Sequence, residues 1–302
     1  QFMKYHISIH ISPYEIDNYQ TFIHQLRRNL NHVEDKIIFT PYLNLSKYFY
    51  NWEDSTLNPF YFVNRFNELN DIVREHCVLD DHVNFDDKIL GAFSYKTMFL
   101  NKYKDEVDAF IWFDSDMIFP DNTIHMLIAS HKADDMSKYC IVTPQIHRLW
   151  DTTWDVLVNK DYINIPASHD NYFGFDGYSL YKRNDEDVFL DTNKQRFKFA
   201  SGWCNLLSAN LFRDLIDFTY DLGHYGPDDT FIMNLLDHYK FNKGKDINQY
   251  IVRGVVVTEN YKHSFNQYKD YITKNDNIKT KEEFAGEVNQ AVSKRLNMII
   301  NE

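Results

Sequence analysis

Cysteine is nearly missing from this sequence. Cys77, Cys140 and Cys204 are the three present in 302 residues, far apart and without a C-x-x-C pair. That excludes a disulfide-stapled scaffold and a cysteine metal knuckle, and reads as reduced, mostly buried thiols of a cytosolic protein. No apolar run approaches the roughly 20 residues of a membrane-spanning helix, and no signal-peptide pattern leads the chain. Basic clusters are lacking as well: 32 Lys and Arg against 44 Asp and Glu give a net charge of −12. Non-specific binding to nucleic acid or an anionic membrane needs a positive footprint, and this composition argues against both. Residues 1–30 contain no glycine, which removes the glycine-rich phosphate loop expected after the first strand of many nucleotide-binding sheets.

What the chain has in excess is aromatic side chains, 17% of residues with 21 Tyr and 24 Phe. Some of these build a core, and Tyr and Trp in loops suit stacking on sugars or bases. The most informative stretch is Phe110-Ile111-Trp112-Phe113 followed by Asp114-Ser115-Asp116. Four large apolar residues read as a strand buried on both faces of a parallel sheet. Period-two geometry sends Asp114 and Asp116 to one side where that strand emerges. Ligands of open α/β sheets bind just beyond the carboxyl ends of strands, and two hard oxygen donors there suit Mg²⁺ or Mn²⁺. Asp185-Glu186-Asp187 has the same spacing in a charged run with no apolar strand before it, and reads as a solvated loop.

The opening of the chain predicts a β-α-β unit. Tyr5, Ile7, Ile9 and Ile11 alternate as a strand; Ser12-Pro13-Tyr14-Glu15 supplies an N-cap, a first-turn proline and a capping-box glutamate. Ile16, Tyr19, Ile23, Leu26 and Leu30 recur at helical spacing, and a second strand from Asp35 ends at Pro41. The loops after the two strands, with His10, Ser12, Pro41, Tyr42 and Asn44, fall at the ligand edge. Residues 46–77 read as mostly helical, and Asp80-Asp81 and Asp86-Asp87 as solvated. A helix over 89–103 precedes the Asp-Ser-Asp strand. Asp121 is the expected cap of the next helix, and a strand over 139–143 is closed by Pro144. No regular pattern persists over 145–198, an aromatic-rich insertion of the length usually tied to function. Order returns at Gly202-Trp203 and a strand to Leu207, with Ser208 capping a helix. A strand over 250–258 follows, with Glu259 and His263 just beyond it, and then a polar tail, weakly helical from 282 to 300. One domain over 1–268 and a helical tail over 269–302 are expected.

Gly226-Pro227-Asp228-Asp229 places two carboxylates at a helix N-terminus, where the dipole favours the ionised form suited to a general base. Acidic residues are common in first turns for electrostatic reasons alone, so the pair gains its value from the glycines and Tyr225 before it, which let backbone approach a ligand. A nitrogen ligand from His263, or an oxygen ligand from Glu259, could complete the metal site.

In this order of parts the chain resembles the GT-A glycosyltransferases, particularly the inverting β-1,4-galactosyltransferases and family-2 enzymes, over roughly Tyr5 to His263. The resemblance implies an α/β fold of GT-A type, a mostly parallel Rossmann-like sheet flanked by helices. It implies a metal-dependent transfer of sugar from a nucleotide-sugar, a UDP-sugar at family level, to a hydroxyl of a glycan or other acceptor, with Mn²⁺ or Mg²⁺. Asp116 would be the metal ligand, Asp114 the ribose or outer partner of the same site, and His263 the third metal position. Asp229 would be the catalytic base and Asp228 an acceptor contact. Ser115, Gly202, Trp203 and Tyr225, with His10, Ser12 and Pro41, would line the nucleotide-sugar pocket. A retaining GT-A transferase would not need Asp229, a nucleotidyltransferase would share the sheet and the metal, and a non-catalytic carbohydrate-binding protein could keep the shape. A haloacid-dehalogenase-type phosphatase expects its D-x-D on the first strand and fits poorly.

Overall fold

Alternation along the first strand decides the layering of the whole molecule. The computed structural model describes residues 2–46, 56–85, 92–134, 138–146, 179–182, 203–216 and 228–259, with 290, 293–294 and 296–301 in the tail. In β1 (Lys4–Ile11), Tyr5, Ile7, Ile9 and Ile11 are fully buried on one face, while His6, Ser8 and His10 point to the other. A 3-10 turn, Pro13–Glu15, leads into α1 (Ile16–Leu30), which covers the Tyr5–Ile11 face with Tyr19, Phe22, Ile23 and Leu26. Next come β2 (Lys36–Asn44) and α2 (Pro59–Asp71), which Asn58 caps by accepting the Tyr61 N–H at 3.2 Å.

Two short strands, β3 (Val78–Leu79) and β4 (His82–Asn84), precede α3 (Ala92–Tyr103) and the central strand β5 (Ala109–Phe113). Then follow β6 (Met117–Ile118), α4 (Thr123–Ala133), β7 (Tyr139–Ile146), β8 (Ser179–Lys182), β9 (Cys204–Ser208) and α5 (Ala209–Asp214). Helix α6 (Asp228–Asp237) continues through a π turn at His238–Asn242 to β10 (Ile247–Glu259).

The strands form one ten-stranded sheet in the order β3-β2-β1-β5-β9-β7-β10-β6, with β4 on β2 and β8 on β10. Strands β1 to β5, β7 and β10 run in one direction; β6, β8 and β9 oppose them. The sheet is therefore mostly parallel, as expected for this fold class. Helices α1, α2 and α4 pack on one face, and α3, α5 and α6, with Leu296 and Ile299 of the tail, on the other. Such two-sided burial is what permits a near-continuous apolar strand like β5.

Several elements differ from the sequence-based expectation, each through a partner distant in sequence. Strand β2 runs through Pro41 to Asn44, because Pro41 falls between the short neighbours β3 and β4, where that edge carries no ladder bond to lose. Strand β7 likewise runs through Pro144, which sits at a register break in β10 between Val252 and Val256. Strand β8 lies inside the stretch expected to be irregular and pairs antiparallel with β10. Asp121 does not cap α4: it accepts from Arg28 at 2.8 Å, and the Ile124 N–H is met by Asn29 of α1 at 2.9 Å. The Ser208 hydroxyl accepts the Cys140 N–H at 2.9 Å and makes no cap bond. Asp80 is anchored, not solvated, accepting from Lys102 (2.8 Å), Tyr103 (2.5 Å) and His82 (3.2 Å). All three cysteines are free, and Cys140 and Cys204 are buried.

His6 lies fully buried between β1 and α3, its Nε2 2.8 Å from the Thr40 hydroxyl and its ring stacked on Tyr103 at 4.6 Å. Burial lowers its pKa to about 3. A histidine whose folded pKa lies below the unfolded value of about 6.5 gives full stability above that value, lost as pH falls toward the folded pKa. We predict that urea midpoints fall from pH 7 to pH 5 with a His6 share of up to about 1.4 kcal/mol per pH unit, and that His6→Gln flattens the slope by that share.

Candidate active site

The site begins where β2, β1 and β5, adjacent and parallel, end along a common rim; register sets His10 beside Tyr42 and Ser8 beside Trp112. All five residues of β5 are buried, and the next residue, Asp114, is exposed. Ser115 is buried and Asp116 partly exposed, so the two carboxylates flank an inward-turned hydroxyl. The Asp114 carbonyl accepts the Met117 N–H at 3.4 Å, and its own N–H donates to the Trp203 carbonyl at 3.0 Å. Trp203 thus stands beside the triplet in space, with its side chain in the hydrophobic core and only 9% exposed.

Ser115 donates its hydroxyl to Glu15 Oε1 at 2.5 Å. The other oxygen of the same carboxylate accepts the Ser12 N–H (2.7 Å) and the Ser12 hydroxyl (2.9 Å). Desolvation raises the Glu15 pKa, with the bonds from Ser115 and Ser12 opposing it. Glu15 was legible as a capping-box residue; that it also binds the acid triplet 100 residues away was not.

On the other side of β1, His10 stacks on Tyr42 at 6.0 Å, meets Tyr95 at 5.2 Å and lies 3.2 Å from the Asn44 amide. Burial first, then the positive charge of Lys96, lowers its pKa to about 3, so the ring is neutral at physiological pH. Lys96 is buried at 8% exposure, with Nζ 4.3 Å from the Trp112 ring centroid. Sequence reasoning missed this cation. Its signal was a lysine one turn before Phe99 and Leu100 on the buried face of α3.

Two further segments carry candidate residues. Strand β10 ends antiparallel to β6, with Thr258 opposite Ile118 and Glu259 opposite Met117, which sets the Glu259 backbone beside the residue that follows Asp116. Helix α6 packs through Phe231, Ile232, Leu235 and Leu236 on the face that carries Phe110 and Trp112. It hands the chain to Ile247, opposite Tyr139 at the start of β7, and Asp228 and Asp229 are its first two residues. Pro41 lies buried in β2, paired with Ile9. Gly202, Tyr225 and His263 lie outside the described residues. Among the described residues, no group of three or more His, Cys, Asp or Glu side chains is placed to hold a metal ion. The carboxylates of Asp114, exposed, and Asp116, partly exposed, supply hard oxygen donors of the type that suits Mg²⁺ or Mn²⁺.

No protein-family model matches the chain, and no curated protein matches it. Solved structures do align. TarS residues 1–349 of S. aureus in complex with UDP-GlcNAc aligns at TM-score 0.45 and 10% identity, over 98% of this chain and 72% of that one. Glucosyl-3-phosphoglycerate synthase of Mycobacterium tuberculosis, in complex with Mn²⁺, UDP and glucosyl-3-phosphoglycerate, aligns at TM-score 0.48 and 13% identity, over 98% and 79%. A UDP-glucose pyrophosphorylase complexed with UDP-glucose aligns at TM-score 0.42 and 10% identity, over 90% and 97%. The chain spans 66% of a further TarS structure and 22% of another.

The exposure of these residues yields a stability prediction. Asp114→Asn and Asp116→Asn change unfolding free energy by less than about 1 kcal/mol, as surface substitutions do, whereas Trp203→Ala costs about 3–5 kcal/mol by opening the core. Chemical denaturation of the three variants checks the contrast.

Proposed function

We propose that the chain is a metal-dependent glycosyltransferase that moves a sugar from a nucleoside-diphosphate sugar, a UDP-sugar, to a hydroxyl acceptor with inversion. The observation that carries this reading is the acid triplet at the end of a fully buried strand, with β10 pairing onto the residues just after it. Asp116 and Asp114, with His263 or Glu259, would hold the cation. When bound there, the cation stabilises negative charge on the departing diphosphate.

The remaining chemistry belongs to the chain itself. Asp229 accepts the proton of the acceptor hydroxyl as that oxygen bonds to the anomeric carbon. The bond from that carbon to the diphosphate oxygen breaks, and the nucleoside diphosphate leaves with the electron pair. Attack opposite the leaving group through an oxocarbenium-like state inverts the anomeric centre. Asp228 contacts the acceptor. His10, neutral and held against Tyr42 and Tyr95, offers the nucleotide a flat uncharged surface where a cationic ring would be free to compete for phosphate. Ser12 and Ser115 are joined through Glu15, which keeps the donor-side loop and the triplet at a fixed separation.

Thermal-shift and calorimetric titration with nucleotide-sugars, with and without Mn²⁺, is the direct test. Asp116→Ala is expected to abolish the Mn²⁺-dependent part of nucleotide binding. Asp229→Asn should leave binding intact and lower transfer by about 10²–10⁴-fold. Unchanged turnover in Asp229→Asn removes the base assignment, and nucleotide binding indifferent to Mn²⁺ in the unaltered protein removes the metal-dependent reading.

A further inference from the structure

Between the acid triplet and α4 the chain has little regular structure of its own, β6 being two residues long. Its backbone is held from α1. Gln25, fully buried, donates its amide N–H to the Met117 carbonyl at 3.1 Å and accepts the Phe119 N–H at 2.8 Å. One turn on, Asn29, also fully buried, donates to the Pro120 carbonyl at 3.0 Å and accepts the Ile124 N–H at 2.9 Å. Arg28 pairs with Asp121, and Glu15 takes the Ser115 hydroxyl.

A buried amide is costly unless both its ends are satisfied, and apolar residues would fill the same space without that demand. What the amide adds is direction. An apolar contact tolerates sliding along the chain, whereas two opposed hydrogen bonds to Met117 and Phe119 fix the height of that segment. Met117 and Ile118 are also the residues onto which Glu259 and Thr258 of β10 pair. Gln25 therefore controls, through backbone alone, where the end of β10 stands relative to Asp116.

We propose that Gln25 is a positioning residue of the cation–diphosphate site: it sets the register between the acid triplet and the end of β10 without touching substrate. The inference rests on the glycosyltransferase reading for its consequence, and on the hydrogen bonds above for its mechanism. The test compares Gln25→Leu and Gln25→Glu with Leu26→Ala, a fully buried neighbour in α1 that packs in the core. Hydrogen exchange is read on peptides spanning 115–119 and 255–259, and Mn²⁺ affinity by paramagnetic resonance titration in the presence of UDP.

Gln25→Leu is expected to speed exchange in both peptides about tenfold relative to Leu26→Ala at matched denaturation midpoint, and to weaken Mn²⁺ binding by about the same factor, within the range expected for losing both of its hydrogen bonds. Gln25→Glu keeps the acceptor for Phe119 and falls between. Should Gln25→Leu not fold, Gln25→Glu against Leu26→Ala reads the same two peptides, and faster exchange in the Glu variant is expected there too. Equal exchange and equal Mn²⁺ affinity in the Gln25 and Leu26 variants overturn the proposal, leaving a merely structural amide. Absence of Mn²⁺ binding in the unaltered protein overturns the functional reading, and the exchange ratio then separately upholds or overturns the register claim.

Discussion

The constraint on which the rest depends is the two-sided burial of β5. Ala109, Ile111 and Phe113 enter the core under α1, α2 and α4, while Phe110 and Trp112 enter the one under α3, α5 and α6. A strand sealed on both faces cannot carry a charged group within its length, so polarity must appear where it ends. Asp114 is the first residue past the sealed span, and it is exposed. The position of the acid triplet is a consequence of how far the two helical layers extend over the sheet. The antiparallel strand β9, between β5 and β7, pairs along the edge of β5 and brings Trp203 to the base of the turn.

Much of this was legible because it is local. The alternation of Tyr5, Ile7, Ile9 and Ile11, the helical spacing through Leu30, and the apolar run into Asp114 all report on neighbours within a turn or two. The illegible parts share the opposite property. Pro41 and Pro144 read as strand ends because a proline removes a ladder donor; only the distant partners, a gap between β3 and β4 and a bulge in β10, show that the donor is not needed. Asp121 and Ser208 read as caps, yet each serves a residue far along the chain. Local preference was overridden wherever a buried backbone group needed a partner from another element.

The acid triplet was legible as the exposed end of a buried strand, but its support was not. Glu15 and Gln25 occupy unremarkable positions in an amphipathic helix and the turn before it. Nothing in their local spacing separates a glutamine solvated by water from one that holds the backbone of Met117 and Phe119. Lys96 on the buried face of α3 was a stronger signal, since a charge at a core position asks for an explanation. Its proximity to Trp112 supplies one: the ring face receives the charge that the core would otherwise reject.

Charge balance joins these observations. The rim gathers Asp114 and Asp116, and strand pairing adds the backbone position of Glu259, in a chain of net charge −12. Like charges so gathered repel, and each is harder to keep ionised as the local dielectric falls. Exposure keeps the repulsion modest, which explains why the triplet sits outside the sealed span when its serine turns inward. The neutral His10 and the buried Lys96 lie on the side of β1 and β5 that faces α3, so the positive charge is held beneath the rim while the acids stand above it. A divalent cation shared among the carboxylates would relieve the repulsion between them. A neutral carbohydrate alone would not relieve it.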